Sequence, residues 1–328
     1  MKNNLSVSEI YKSQEEKSTK TAIDTLNNIY INSIIKPYRE SEKRIDMHTH
    51  TNRSDGDKSP MELVRHAIKN NVSVLGITDH DTIEGIKEIN RTDYLVVDSG
   101  ISIIDGIELS AKMDKGRMHI LGYNIDKENT SLNNKTNQLK TISINTLLSL
   151  IEILKKEYNI IFSYDDIKQL INSNHNLGRP DLARLLIKNG FVTSVDEAFI
   201  KYLNHAHDKL GKNKKGIPKE ECLELITKSG GIPVLAHPKT LKLSEKELLI
   251  LIKEMINYGL RGIEVYHSTN TPEEVKMYLD IANKYDLLIS GGSDYHGPLT
   301  KPDIEIGTGR KNNLNIKTLS LVNYLMKR

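Results

Sequence analysis

The sequence predicts an α/β protein built as a parallel barrel of fewer than eight units. Three observations carry this. About seven short apolar runs alternate with amphipathic helical stretches, the rhythm of β/α units. Polar, metal-competent residues recur where those runs end, the edge where α/β barrels keep their chemistry. Between about 126 and 215 strands vanish and helices follow one another, which marks a helical insertion in the β/α framework.

The first run is RIDMHTH, Arg44 to His50. Asp46, His48 and His50 lie two residues apart, so a strand would present all three on one face. Two imidazoles and a carboxylate at a strand end suggest the start of a metal site. The loop TNRSDGDKSP follows, with Asp55-Gly56 as turn chemistry. Ser59 is placed to cap a helix with Pro60 at its first position and Glu62 behind it. That helix turns Leu63, Ala67 and Ile68 inward, and His66 reads as a structural or surface residue. The second strand, SVLGITDHD, has the continuous apolar run of a doubly buried strand and ends in Asp79-His80-Asp81. After a helix over TIEGIKEIN come the strand ISIIDGIELS, ending in Glu108, and a strand, MHILGYNI, opening with His119.

The insertion contains helices over roughly 135–157, 164–173, 179–189 and 194–204, with Ser163 and Ser194 as N-caps and Gly190 as a C-cap. It lies over the site if it leaves from a carboxyl-end loop. Three further helix–strand pairs close the pattern, ending in IPVLAHP with His237, RGIEVYH, and LLISGGSDYH with Asp294 and His296. NIKTLSLVNYLMKR reads as a closing amphipathic helix. Ahead of it all, residues 1 to about 43 form a polar, helix-prone extension in which Ile23, Leu26, Tyr30 and Ile34 share one face.

Composition narrows the function. The 46 basic and 43 acidic residues leave a formal charge of +3, too balanced for nucleic-acid coating or a membrane surface. A single cysteine, Cys222, excludes a disulfide framework and zinc-finger spacing. No signal-peptide core or membrane-length apolar run is present, so a cytoplasmic location without membrane partners is expected. Mixed nitrogen and oxygen donors without cysteine suit Mn²⁺, Fe²⁺ or Zn²⁺.

The segments DMHTHTNRSDG, GITDHDT, GIELSAK with HILGY, VLAHP and GGSDYHGP resemble, in this order, the five motifs of the PHP (polymerase and histidinol phosphatase) superfamily. GRP…AR in a helical insertion between HILGY and LAHP resembles the RNase AM subgroup, nucleoside 3′,5′-bisphosphate phosphatases that also trim RNA from its 5′ end. The resemblance covers about 44–310. It implies a distorted (β/α)₇ barrel, formed by 44–125 and 216–310, with 126–215 as the insertion and 311–328 as the terminal helix. It also implies three divalent metal ions, Mn²⁺ first and Zn²⁺ or Fe²⁺ as alternatives. His48, His50, Glu108 and Asp294 would hold one. Glu108, His119 and His237 would hold the second, and Asp55, His80 and His296 the third. His237 is also expected to serve catalysis directly, Asp46 to orient an imidazole, and Asp81 to relay a proton to the leaving group. Arg179 at a helix start is the candidate for a second phosphate, with Lys215, or its neighbours Lys212 and Lys214, beside it. His175, His205, His207 and His267 are read as non-ligands. Asp181 stands where the subgroup commonly has histidine, a negative charge beside a phosphate site.

The implied activity is metal-dependent hydrolysis of a phosphomonoester of a nucleoside 3′,5′-bisphosphate, with short RNA as a further substrate. The alternatives are a phosphatase for another small metabolite, such as histidinol phosphate, and a non-catalytic nucleotide-binding regulator. The oligomeric state is left open.

Overall fold

The structure, a computed structural model, describes residues 43–93, 99–172, 175–210 and 216–327. The expected N-terminal helix, with Ile23, Leu26, Tyr30 and Ile34, and the lysines Lys212, Lys214 and Lys215 lie outside the described residues.

Seven strands form one sheet in sequence order: β1 Arg44–Asp46, β2 Val72–Ile77, β3 Ser102–Ala111, β4 Met118–Tyr123, β5 Ile232–Leu235, β6 Gly262–His267 and β7 Leu288–Gly292. The sheet curls until its edges meet. Met47 N donates to Gly291 O at 3.1 Å, Asp294 N to His48 O at 2.9 Å, and His50 N to Tyr295 O at 2.9 Å. A glycine is needed at this seam, because a Cβ on Gly292 would lie 2.3 Å from the His48 nitrogen.

The barrel is not parallel throughout. β4 runs antiparallel to both β3 and β5. Only six residues, 112–117, join β3 to β4, too few for the crossover that a parallel pair requires. The reversal explains why His119, at the start of its strand, reaches the same rim as the histidines near the ends of the parallel strands.

The reversal also changes how the insertion arises. It leaves β4 at the rim opposite the candidate site, where Asn129 Nδ2 donates to Lys228 O at 3.2 Å. A single 29-residue helix, Thr130–Tyr158, then climbs the barrel wall. At 1.5 Å per residue it spans roughly 43 Å. Leu132, Leu139, Leu147, Leu150 and Leu154 are buried along it at helical spacing. Near its middle, Ser143 donates to Asn176, whose amide donates to His80 O at 2.6 Å. The insertion thus reaches the site from below. It has its own apolar core of Leu150, Leu154, Phe162, Leu182, Leu186 and their neighbours. Its other helices are Tyr164–Ile171, Arg179–Lys188, Val195–Ala198 and Asn204–Lys209, with a π-helical turn at Phe199–Leu203.

The expected caps are present. Glu62 accepts from Ser59 N at 2.8 Å, and the Ser163 and Ser194 hydroxyls accept from Asp166 N and Glu197 N. Gly190 ends its helix at φ +75°. Two elements are shorter than expected. β1 stops at Asp46, and the C-terminal helix covers only Ser320–Leu325, because Ile316 O is drawn on to the barrel by Ile45 N at 2.9 Å. Among the described residues no helix is long and apolar enough to cross a membrane.

Candidate metal centre

The strand ends deliver nine nitrogen- and oxygen-bearing side chains to one rim, and Glu108 is their hub. It is fully buried. Its Oε2 lies 3.2, 3.3 and 3.1 Å from His48 Nε2, His50 Nε2 and His80 Nδ1. Its Oε1 lies 2.9 and 2.8 Å from His119 Nδ1 and His237 Nε2. One carboxylate therefore faces five imidazoles.

Donor spacing tests whether these residues fit a metal. Asp294 Oδ1 lies 3.6 Å from His48 Nε2 and 3.4 Å from His50 Nε2. Together with the two Glu108 distances these are four edges of a small tetrahedron. A tetrahedral site with bonds of about 2.0–2.1 Å has edges of about 3.4 Å. His50, Asp55, His80 and His296 form a second compact group, with Asp55 Oδ1 3.2 Å from His296 Nε2. Both ring nitrogens of His50, Asp55 Oδ1 and His80 Nδ1 are buried without a hydrogen bond. Polar atoms are rarely left so, and a cation here would take up one nitrogen of His50 with the Asp55 and His80 donors. The grouping is less divided than that implied by the sequence: His50 also borders Asp55, His80 and His296, and His80 also borders Glu108 and His119.

The protonation of the cluster follows from its charges. Burial disfavours the imidazolium of His50, but Asp294 and Glu108 outweigh it and hold His50 up to about 9. Burial prevails at His80 and brings it down to about 3. Burial opposes ionisation of Asp55, Glu108 and Asp294, yet the surrounding histidines, with Lys301 at Asp294, keep all three well below the usual carboxylate range. Binding a divalent ion displaces the protons held on His48 and His50, so affinity falls as pH falls.

One expected catalytic role is corrected. Asp46 does not orient an imidazole. Because β1 ends there, its carboxylate turns to the backbone, accepting from Ser293 N at 2.8 Å, Gly307 N at 2.7 Å and His48 N at 3.3 Å. Asp81, next to His80, accepts from Ser110 N and Ser110 Oγ at 2.7 and 2.8 Å. Asp79 is likewise structural, accepting from Thr51 N, Thr51 Oγ1 and Ser54 Oγ. His237, at φ +25°, sits in the cluster, as does Asp294 at φ +57°, backbone conformations that side chains rarely adopt and that concentrate at functional sites. Asp46→Ala is expected to cost about 3 kcal/mol, since it strands three buried N–H groups. Chemical denaturation of the metal-free protein measures this, and a loss under about 1 kcal/mol would contradict the role given to Asp46.

The residue that orients His48 is Glu264, which the sequence reading missed. It is fully buried on β6. Its Oε1 lies 2.9 Å from His48 Nδ1, and its Oε2 accepts from His237 N at 2.7 Å. This directs His48 Nε2 to the centre. A glutamate inside the apolar run RGIEVYH was the available signal. His267 also touches the centre, its Nε2 3.4 Å from Asp294 Oδ2.

Beside the centre is a cavity of about 1640 Å³, lined by His80, His119, Arg117, Arg179, Phe199 and Lys301 among others. Arg179 packs over the Phe199 ring at 5.1 Å. Burial and the neighbouring Arg117 lower it to about 10, against the pull of Asp208. Among the described residues neither arginine forms an ion pair. Asp181 is no obstacle to an anion here. It is buried, accepts from Gly178 N at 2.8 Å, and is paired with His175 and Arg184 at 2.9 and 3.0 Å. Of the remaining histidines, His66 lies against Glu305 and His205 against Glu157, both away from the centre, while His207 lines the cavity.

Comparison with known proteins agrees with this architecture. The PHP domain family model matches residues 46–217. A protein of Haemophilus influenzae named 5′-3′ exoribonuclease is 32% identical over 262 residues, 78% of this chain and 91% of that protein. A 3′,5′-nucleoside bisphosphate phosphatase of Chromobacterium violaceum is 25% identical over 254 residues, 77% of this chain and 87% of that protein. A crystal structure from Bifidobacterium adolescentis, provisionally described as a metal-dependent phosphoesterase, superposes with a TM-score of 0.71 at 26% identity, covering 88% of this chain and 98% of that one.

Proposed function

The chain belongs to the PHP domain family, and on that premise we propose that it hydrolyses a phosphomonoester of nucleoside 3′,5′-bisphosphates and trims short RNA from its 5′ end. It is a hydrolase of phosphoester bonds, as its relatives are. The observation that carries the substrate is the pairing of the nine-donor centre with a cavity holding two arginines that form no ion pair among the described residues. One phosphate of a bisphosphate meets the centre; the other meets Arg179, whose planar guanidinium suits a phosphate dianion.

His48, His50, Asp55, His80, Glu108, His119, His237, Asp294 and His296 would hold up to three divalent ions, with Mn²⁺ favoured. Such ions, when bound, supply Lewis-acid charge at the phosphate and make water a competent nucleophile near neutral pH. The chain's own part is positional. Glu264 fixes His48 and the His237 backbone. Lys301 and His267 hold the outer oxygen of Asp294. Arg184 ties the insertion to the ligand-bearing loops, donating to Asp55 O at 2.9 Å and Thr300 Oγ1 at 2.6 Å. Arg184 thus holds the Asp55 backbone, and the Asn176 amide holds that of His80.

The test is phosphate release from adenosine 3′,5′-bisphosphate by Mn²⁺-loaded protein, with His48→Ala as control. Release that vanishes in the variant is expected, and the product, 5′- or 3′-AMP, identifies the phosphate that meets the centre. Equal release by both proteins would overturn the assignment.

A further inference from the structure

We propose that Lys301 contacts the substrate, donating hydrogen bonds to a non-bridging oxygen of the phosphate under attack. The inference rests on the phosphoesterase reading above. Lys301 Nζ lies 2.5 Å from Asp294 Oδ2, while Oδ1 of the same carboxylate faces His48 and His50. The ammonium therefore stands one carboxylate away from the centre. An ammonium has three protons, and Asp294 is its one side-chain partner among the described residues. Its side chain is one-third exposed and lines the cavity.

The backbone that carries Lys301 is firmly held. Asp57 accepts from Leu299 N at 2.6 Å, Thr300 N at 3.2 Å and Thr300 Oγ1 at 2.8 Å. Lys301 N donates to Gly297 O at 2.8 Å. Arg184 clamps Thr300 from the insertion. What stays adjustable is the four-carbon stem, which lets a compact cation follow an anion. A purely structural prop for Asp294 would not need this reach, because His267 already approaches the same oxygen.

In hydrolysis the water oxygen forms a new bond to phosphorus, the ester P–O bond breaks, and the proton lost by water ends on the leaving oxygen. Lys301 transfers nothing in this step. It offsets the charge spread over the non-bridging oxygens in the transition state.

Lys301→Met and Lys301→Arg test the proposal through three readouts: bound metal per chain, kcat and KM on adenosine 3′,5′-bisphosphate, and the affinity for inorganic phosphate by calorimetry. The methionine variant is expected to keep its metal, lose about 10²-fold in kcat/KM and bind phosphate more weakly, with partial recovery in the arginine variant. Unchanged kcat/KM and phosphate affinity in Lys301→Met would overturn the proposal. So would a loss that excess metal restores in full, because Lys301 would then only support Asp294. If the wild type released no phosphate from the ester, the phosphoesterase reading would fail, and phosphate affinity would still decide the role of Lys301.

Discussion

Glu108→Gln is expected to lower kcat/KM for phosphoester hydrolysis by about 10³-fold or more while the protein stays folded. The size follows from what one carboxylate does. Five imidazoles lie within 3.3 Å of its two oxygens, so every ion held by this rim would share it or border it. Glutamine keeps the volume and the β3 backbone pairing, so the barrel survives. It removes the shared negative charge, and it also presents an amide N–H to nitrogens that need an anion or a cation between them. A loss at a metal centre affects both charge stabilisation and activation of water, which are separately worth several kcal/mol. Steady-state kinetics with Mn²⁺, bound metal per chain and circular dichroism check it. Near-normal activity with a full metal complement would show that Glu108 is packing and not the hub. An unfolded variant would redirect the test to Glu108→Asp, which keeps the charge and shortens the reach; a loss of at least tenfold is then expected.

The contrast between Glu108 and Glu264 shows where a sequence stops being legible. The histidines and Asp294 sit near strand ends, and period-two and strand-end reasoning locates them, whereas Glu108 lies three residues inside β3, which runs on to Ala111. The barrel itself was legible from the alternation of apolar runs and helices, and the insertion from its interruption. Reversal of β4 was not drawn from the sequence, although a six-residue link forbids a crossover. That reversal moves the root of the insertion to the far rim and makes the long helix Thr130–Tyr158 necessary. Asp46 was misplaced because spacing of two implies one face only while the strand lasts, and this one stops at Asp46 itself. Glu264, Lys301 and Arg184 act through contacts across 216, seven and 129 residues. Their roles follow from loop closure and packing, which no local pattern encodes. Asp181 makes the same point in reverse. It looked hostile to a phosphate in the sequence, and in the fold Arg184 pairs with it at 3.0 Å while His175 lies 2.9 Å away.

Arg179→Ala is expected to separate substrates rather than abolish chemistry. For adenosine 3′,5′-bisphosphate kcat/KM should fall by about 10²-fold, mostly through KM. For a monoester that lacks the second phosphate it should change by less than about threefold. A charge-assisted, two-point hydrogen bond to phosphate is worth about 1.5–3 kcal/mol, which sets the size. The selectivity follows from position. Arg179 lies on the insertion over Phe199, outside the nine-donor centre, so a substrate with one phosphate never meets it. Stability should change little, because Arg179 forms no ion pair among the described residues and its stacking on Phe199 contributes about 0.5–1 kcal/mol. Removing it also relieves repulsion with Arg117. Lysine should not substitute fully, since it keeps the charge but loses both the planar fork and the stacking. Parallel kinetics on the bisphosphate and on p-nitrophenyl phosphate, a monoester without a second phosphate, decide the matter. Equal losses on both would place Arg179 at the phosphate under attack, and an unchanged bisphosphate rate would move the second phosphate to Arg117 or to the lysines of 212–215.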